Sequence, residues 1–150
     1  MEFREAQTGD LAVLTGLGIR SKATWDYSAD QMRVFGEELT WAAELLAQRT
    51  VYLAATSRIH GYYSLNPTDE RTIDLEHLFV APEDFGKGIG TKLFNHACGI
   101  SRQQGYTNLT VMSDPNAAGF YDRVGCQKVK NIPSSIPGRT IPTYRLDLRS

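Results

Sequence analysis

The chain has 150 residues, 41% of them hydrophobic and 22% charged, which is the size and balance of one globular domain. Its 16 Lys and Arg against 17 Asp and Glu give a formal charge of −1, which argues against a nucleic-acid platform or a binder of anionic membranes. The two cysteines, Cys98 and Cys126, form neither a disulfide framework nor a metal-ligand spacing. No signal-peptide core follows the charged start and no apolar run approaches the ~18 residues of a membrane span, so a cytoplasmic chain without a metal is expected.

A first strand is predicted at about residues 2–6. Thr8-Gly9-Asp10 then offers an N-cap to a helix whose apolar stripe is Leu11, Val13, Leu14, Leu17 and Gly18. Ser28 and Gln31 have the form of a capping box ahead of Met32, Phe35 and Leu39, and Thr40 is placed to cap a further short piece from Trp41 to Ala47. From Thr50 the period changes: Val51, Leu53 and Ala55 alternate with Tyr52 and Ala54. Either Ser57-Arg58 or Arg58-Ile59-His60-Gly61 turns the chain back into residues 62–65. A polar turn at 67–70 leads to a strand over Thr72–Val80, long enough to be central. Ile89, Leu93, Ala97 and Ile100 mark a helix ending near Gly105, followed by a strand at 109–112. A helix from Asn116 to Val124 closes on Gly125, and the last strands are expected at 126–129 and 143–148. The sum is a single α/β domain over 1–150 with a mixed sheet.

The most informative segment runs Val80-Ala81-Pro82-Glu83-Asp84-Phe85-Gly86-Lys87-Gly88-Ile89-Gly90-Thr91-Lys92-Leu93, a strand that enters a turn with glycine at alternate positions and leaves as a helix. Such glycines permit positive φ and close backbone approach. Successive N–H groups then converge on one anion while the helix N-terminus adds partial positive charge, so a phosphate or pyrophosphate is the natural guest. Lys87 either adds a cation there or is a solvated surface lysine. A P-loop is absent, since its Gly-Lys-Ser/Thr ending has no counterpart at Thr91 or Leu93. A dinucleotide fingerprint fails as well, lacking a glycine or alanine at 91, an early βαβ position and a later acidic residue.

What remains is a first residue that is usually Arg or Gln, two spacers, glycine, one spacer, and glycine or alanine. Residues 85–90 in this respect resemble the coenzyme A signature of the GNAT superfamily of N-acetyltransferases, with Phe85 at the first position. Residues 114–126, with Asn116-Ala117, the pair Phe120-Tyr121 and Gly125, resemble the second signature of the same family. The resemblance covers essentially the whole chain. It implies a strongly twisted mixed sheet flanked by helices, with splayed fourth and fifth strands, and acetyl-CoA as cosubstrate. By the same resemblance the pyrophosphate lies on Phe85, Gly86, Lys87, Gly88, Ile89, Gly90 and Thr91, and the backbones of Leu78, Phe79 and Val80 pair with the pantetheine amides. Asn116 bonds the pantetheine arm and Phe120 packs beside it. Read as residues alone, Asn116 is equally a helix cap and Phe120 a core aromatic.

Acetyl transfer to an amine needs an unprotonated nucleophile, a partner for the oxyanion and a proton for the departing thiolate. On the strand 72–80, Asp74, Glu76, Leu78 and Val80 share one face, and Leu75, His77 and Phe79 the other. Two carboxylates on a central strand are costly unless that face meets a wet cleft. The resemblance makes Glu76 the first candidate for base and Asp74 the second, gives the Val80 N–H to the oxyanion, and makes Tyr121 the proton donor to sulfur. His77 reads as structural and both cysteines as small core residues, and the resemblance implies direct transfer with no acetyl-cysteine intermediate. The acceptor is a small-molecule amine or a protein amino group. Residues 21–27 either line its pocket or anchor a turn by their aromatics. The connection 132–142, long for a hairpin, suggests a gate or a homodimer contact. The competing reading is a non-catalytic acyl-CoA sensor, which would need the glycine turn but neither Glu76 nor Tyr121.

Overall fold

The computed structural model describes residues 1–149. Its strands are β1 (Glu2–Glu5), β2 (Thr50–Ala55), β3 (Ile59–Pro67), β4 (Thr72–Val80), β5 (Asn108–Met112), β6 (Gln127–Pro133) and β7 (Thr140–Asp147). The helices are α1 (Leu11–Lys22), α2 (Ala29–Leu39), α3 (Ala43–Ala47), α4 (Ile89–Gln103) and α5 (Ala118–Arg123). The strands pair in the order β1-β2-β3-β4-β5-β7-β6, parallel for β4 with β5 and antiparallel for β1 with β2 and for β7 with both its neighbours. This is the mixed sheet flanked by helices that the sequence leads one to expect. The parallel register runs from Thr72 opposite Asn108 to Leu75 opposite Val111 and ends there, where the fourth and fifth strands are expected to part.

The chain divides into two compact units. The first comprises Met1–Ser64 and His77–Leu93. Its helix α1 buries Leu14, Leu17, Gly18 and Ser21, positions spaced for one face, whereas Val13, one step round the helix from Leu14, is half exposed and not part of the stripe. Within the expected Thr8-Gly9-Asp10 segment it is Asp10 that stands at the N-cap of α1, after a single tight turn opened by Gln7. Asp10 accepts the Gln7 N–H at 2.8 Å and takes both Arg4 guanidinium nitrogens at 2.9 and 3.1 Å. At α2 the expected capping box is present, with Gln31 N–H donating to Ser28 Oγ at 3.1 Å and Ser28 N–H to Gln31 Oε1 at 2.9 Å. Thr40 does not cap the next helix: its hydroxyl donates back to the Gly36 carbonyl at 2.6 Å, and α3 starts only at Ala43. Of the two turns open for the β2–β3 hairpin, the tighter one forms, with Thr56 N–H donating to the Arg58 carbonyl at 3.0 Å. The core here is Leu14, Leu17, Trp41, Val51, Leu53 and Tyr62. Within it the Trp41 indole N–H donates to the Tyr62 hydroxyl at 3.1 Å, so the polar tips of both aromatics are satisfied.

The second unit comprises Leu65–Glu76 with Phe94 and the described residues after it. Its buried residues include Leu65, Ile73, Leu75, Phe94, Leu109 and Val111. The helix expected from Asn116 begins as a tight turn at Pro115–Ala117 and is α-helical only over six residues. Its cap is Asp114, which accepts the Asn116 N–H at 2.9 Å, so Asn116 itself is not the cap. Gly125, at φ 96°, ends α5 as expected, and Cys126 N–H closes on the Tyr121 carbonyl at 3.0 Å. β6 and β7 extend well beyond their expected ends. The connection is therefore only residues 134–139, closed by Ser134 N–H to the Arg139 carbonyl at 2.9 Å, with Arg139 donating to Asp114 at 3.2 Å.

Candidate active site

In the first unit, Leu78, Phe79 and Val80 end β4, all three half-buried. Gly61 on β3 sets this end of the strand. A Cβ there would meet the Phe79 carbonyl oxygen at 2.7 Å and a Leu93 methyl at 2.8 Å, an approach that only glycine permits. The Phe79 ring lies on the face shared with His77 and packs against Tyr62 at 5.9 Å and His77 at 6.1 Å. His77 sits edge-on to Trp41 at 5.4 Å, with its Nδ1 2.7 Å from Ser64 Oγ, the structural placement expected of it.

The glycine turn follows. Gly86 and Gly88 adopt φ 81° and 78°, the left-handed region, whereas Gly90 is already the second residue of α4. The first bond of the α4 ladder is Lys92 N–H to the Gly88 carbonyl at 3.2 Å. The amides of Ile89, Gly90 and Thr91 therefore precede the ladder at the positive end of a 15-residue helix. Phe85, Gly86, Lys87, Gly88 and Thr91 are exposed. This backbone fits a diphosphate, since no side chain crowds it: nothing lies within 4 Å of the Cβ that Gly86 or Gly88 would carry.

Sequence reasoning missed the residue beneath this turn. Asp84 is 1% exposed and binds both Arg58 nitrogens at 2.7 and 2.8 Å, His60 Nδ1 at 2.9 Å and Lys87 Nζ at 3.0 Å. The Arg58 bonds above all, with those of His60 and Lys87, hold its carboxyl far below the usual carboxylate range against the opposing effect of burial. Lys87 is thus not a plain solvated lysine, since its ammonium is paired with a buried carboxylate. Glu83 pairs with Arg20 at 3.0 Å on the rim of the same cluster.

In the second unit, Asp74 is 7% exposed and accepts the Thr110 hydroxyl at 2.7 Å, across the parallel register of β4 and β5. The Thr110 hydroxyl offsets part of the cost of burying this carboxylate. Glu76, two residues on and on the same face by strand alternation, is only half-buried. Tyr121 is buried among Phe94, Phe120 and Tyr144, with ring centroids at 6.3, 5.1 and 5.8 Å. Tyr144 fixes its own end of this stack by donating to the Ala118 carbonyl at 3.3 Å. Burial, then the charges of Cys126 and Asp74, push the Tyr121 phenol well above its ordinary range, so Asp74 lies within electrostatic reach of it. Phe120 also meets Phe94, at 6.2 Å. Asn116 is exposed, and its side-chain amide donates to Asp114 at 3.0 Å.

Both cysteines are buried, and burial pushes Cys98 up to about 11 and Cys126 to about 12, so neither is a thiolate at neutral pH. Among the described residues no group of three or more His, Cys, Asp or Glu is arranged to hold a metal ion, and no helix is long and apolar enough to cross a membrane.

Comparison with known proteins bears on this arrangement. The family model described as "Acetyltransferase (GNAT) domain" matches residues 23–134. A thialysine N-epsilon-acetyltransferase from Bos taurus is 26% identical over 144 residues, covering 83% of each chain. Among solved structures, a GCN5-related N-acetyltransferase from Rhodopseudomonas palustris superposes with a TM-score of 0.82 at 23% identity, over 97% of this chain and 94% of its own. The PaiA N-acetyltransferase from Thermoplasma acidophilum, solved with coenzyme A, gives 0.79 at 18% identity over 97% and 98%. A GNAT family acetyltransferase from Elizabethkingia anophelis, with acetyl-CoA bound, gives 0.68 at 18% identity over 97% of each chain.

Proposed function

Because this chain belongs to the GNAT acetyltransferase family, we propose that it acts in the cytoplasm as a single catalytic domain, transferring acetyl from acetyl-CoA directly to a primary amine. The observation that carries the cofactor part is the glycine turn. Two left-handed glycines and three amides ahead of the α4 ladder form an open backbone cradle that suits a diphosphate without requiring surplus lysines. Neighbours that hold coenzyme A or acetyl-CoA support the same cosubstrate. The relative named for thialysine acetylation supports an alkylamine acceptor, on a small molecule or a protein.

Bound acetyl-CoA supplies the acetyl group as a thioester. The chain's residues then have three tasks. An alkylammonium of pKa near ~10 is mostly protonated at neutral pH, so Glu76 takes a proton from it directly or through a water. Glu76 is preferred to Asp74 because Asp74 is buried and already accepts from Thr110. The Val80 N–H donates to the carbonyl oxygen as negative charge gathers there. Tyr121 donates to the departing sulfur. Complete transfer from a phenol near ~10 to a thiolate near ~8.5 is uphill by roughly 2 kcal/mol, and the raised phenol pKa makes it more so. The tyrosine therefore hydrogen-bonds the sulfur as the C–S bond breaks and passes its proton on only as a proton from the reacting amine replaces it, so that the phenol ends protonated. In balance, the C–S bond breaks, the C–N bond forms, and the ammonium loses two protons, of which one ends on sulfur and one in solvent.

The test is an amine-library assay that follows thiol release, with acetyl-CoA binding titrated in parallel. Release matched by N-acetylated product is expected. Tight binding with no acceptor turnover would replace the enzyme reading with that of an acyl-CoA sensor.

A further inference from the structure

The glycine turn of the first unit is exposed from Phe85 to Gly88, and no neighbouring atoms lie where side chains at Gly86 or Gly88 would begin. Packing does not hold it. Two left-handed glycines leave such a segment many other conformations, and ordering it on each binding event would weaken a bound ligand. One side chain within the turn reaches back: the Lys87 ammonium donates to Asp84 Oδ1 at 3.0 Å. A lysine with a 58% exposed side chain would ordinarily make a weak surface pair. Here its partner is a fully buried carboxylate, fixed from the other side by the bidentate Arg58 fork and by His60. Arg58 and His60 belong to the β2–β3 hairpin, and His60 is held in turn by Thr56, 2.6 Å from its Nε2. The same hairpin is joined to the segment entering the turn by Ala81 N–H to the His60 carbonyl at 2.8 Å.

We propose that Asp84 is a positioning residue for cofactor binding, locking the glycine turn in its anion-binding shape by tying Lys87 to Arg58 and His60. This rests on the acetyl-CoA reading above. Lys87 then acts through Asp84 rather than by contact with a phosphate, and the two residues form one device. Removing either partner frees the turn, and removing the second adds nothing.

The test is a double-mutant cycle on the full chain with Asp84→Asn, Lys87→Met and the double variant, reading acetyl-CoA affinity by titration and kcat at saturating acetyl-CoA. Each single variant should weaken binding about tenfold, the cost of ordering roughly one backbone residue, with kcat within about twofold. The double variant should be no weaker than the worse single. Wild-type affinity in Asp84→Asn beside a weakened Lys87→Met would mean that Lys87 contacts the ligand directly, and would overturn the proposal. Multiplying effects, or a fall in kcat at unchanged affinity, would overturn it too. Arg58→Met, which removes the hairpin anchor from a partly exposed position, replaces Asp84→Asn with the same expected readings if that variant does not fold. Failure of the unmodified protein to bind acetyl-CoA would instead overturn the acetyltransferase reading, and this inference with it.

Discussion

The glycine turn and the aromatic stack around Tyr121 are opposite kinds of site. The turn is exposed and offers backbone amides, and its shape rests on two left-handed glycines and a salt-bridged tether below. The stack is buried and offers one phenol, held by Phe94, Phe120 and Tyr144 in a place apolar enough to keep it protonated. A backbone cradle gives affinity for a common group, whereas a buried side chain gives chemistry at one atom. Changes in the first should therefore move binding, and changes beside the second should move turnover.

Four variants can break or sharpen that division. Glu76→Gln should have the largest effect, a fall of about 10³-fold in turnover at neutral pH that narrows as the pH approaches the amine's own value near ~10. Parallel pH-rate profiles for variant and wild type would remove Glu76 as the base. Tyr121→Phe should lower kcat about 10²-fold while acetyl-CoA affinity, read by titration, stays within about twofold. Because the phenol is raised, the wild-type activity should show no alkaline loss from this group within the ordinary phenol range near ~10. Gly88→Ala puts a side chain at φ 78° and should weaken acetyl-CoA about tenfold at unchanged kcat. Thr110→Val, the smallest in kinetic terms, strips the hydroxyl from buried Asp74 and should cost about 2 kcal/mol in denaturant unfolding with turnover nearly intact. A large loss of turnover in that variant would give Asp74 a share in the chemistry.

The contrast also governs what could be read from the chain alone. The bounds of β4, the capping box at Ser28 and Gln31 and the glycine turn are written in local pattern: period, cap residues, glycine spacing. The tether under the turn is not, because Arg58 and His60 lie 26 and 24 residues from Asp84, and the pair Glu83-Asp84 by itself looks like any solvated turn. Thr110, 36 residues from Asp74, becomes its partner only through the β4–β5 register. The connection between the last two strands is shorter than expected because Pro133 and Pro142 both pair within the β6–β7 ladder, Pro133 on the outer strand β6 and Pro142 on β7 just past its register with β5, which ends at Met112 opposite Thr143. Tyr121 was legible as a candidate from its motif, but the direction of its pKa follows from burial that no spacing reveals.

The most direct test of the division of labour is a crossed measurement on Gly88→Ala and Tyr121→Phe, with acetyl-CoA affinity and single-turnover acetylation of one amine taken from the same preparations. The account predicts that Gly88→Ala loses affinity and keeps its rate at saturation, while Tyr121→Phe keeps affinity and loses rate. Both variants losing the two quantities together, or Tyr121→Phe turning over at the wild-type rate, would contradict it.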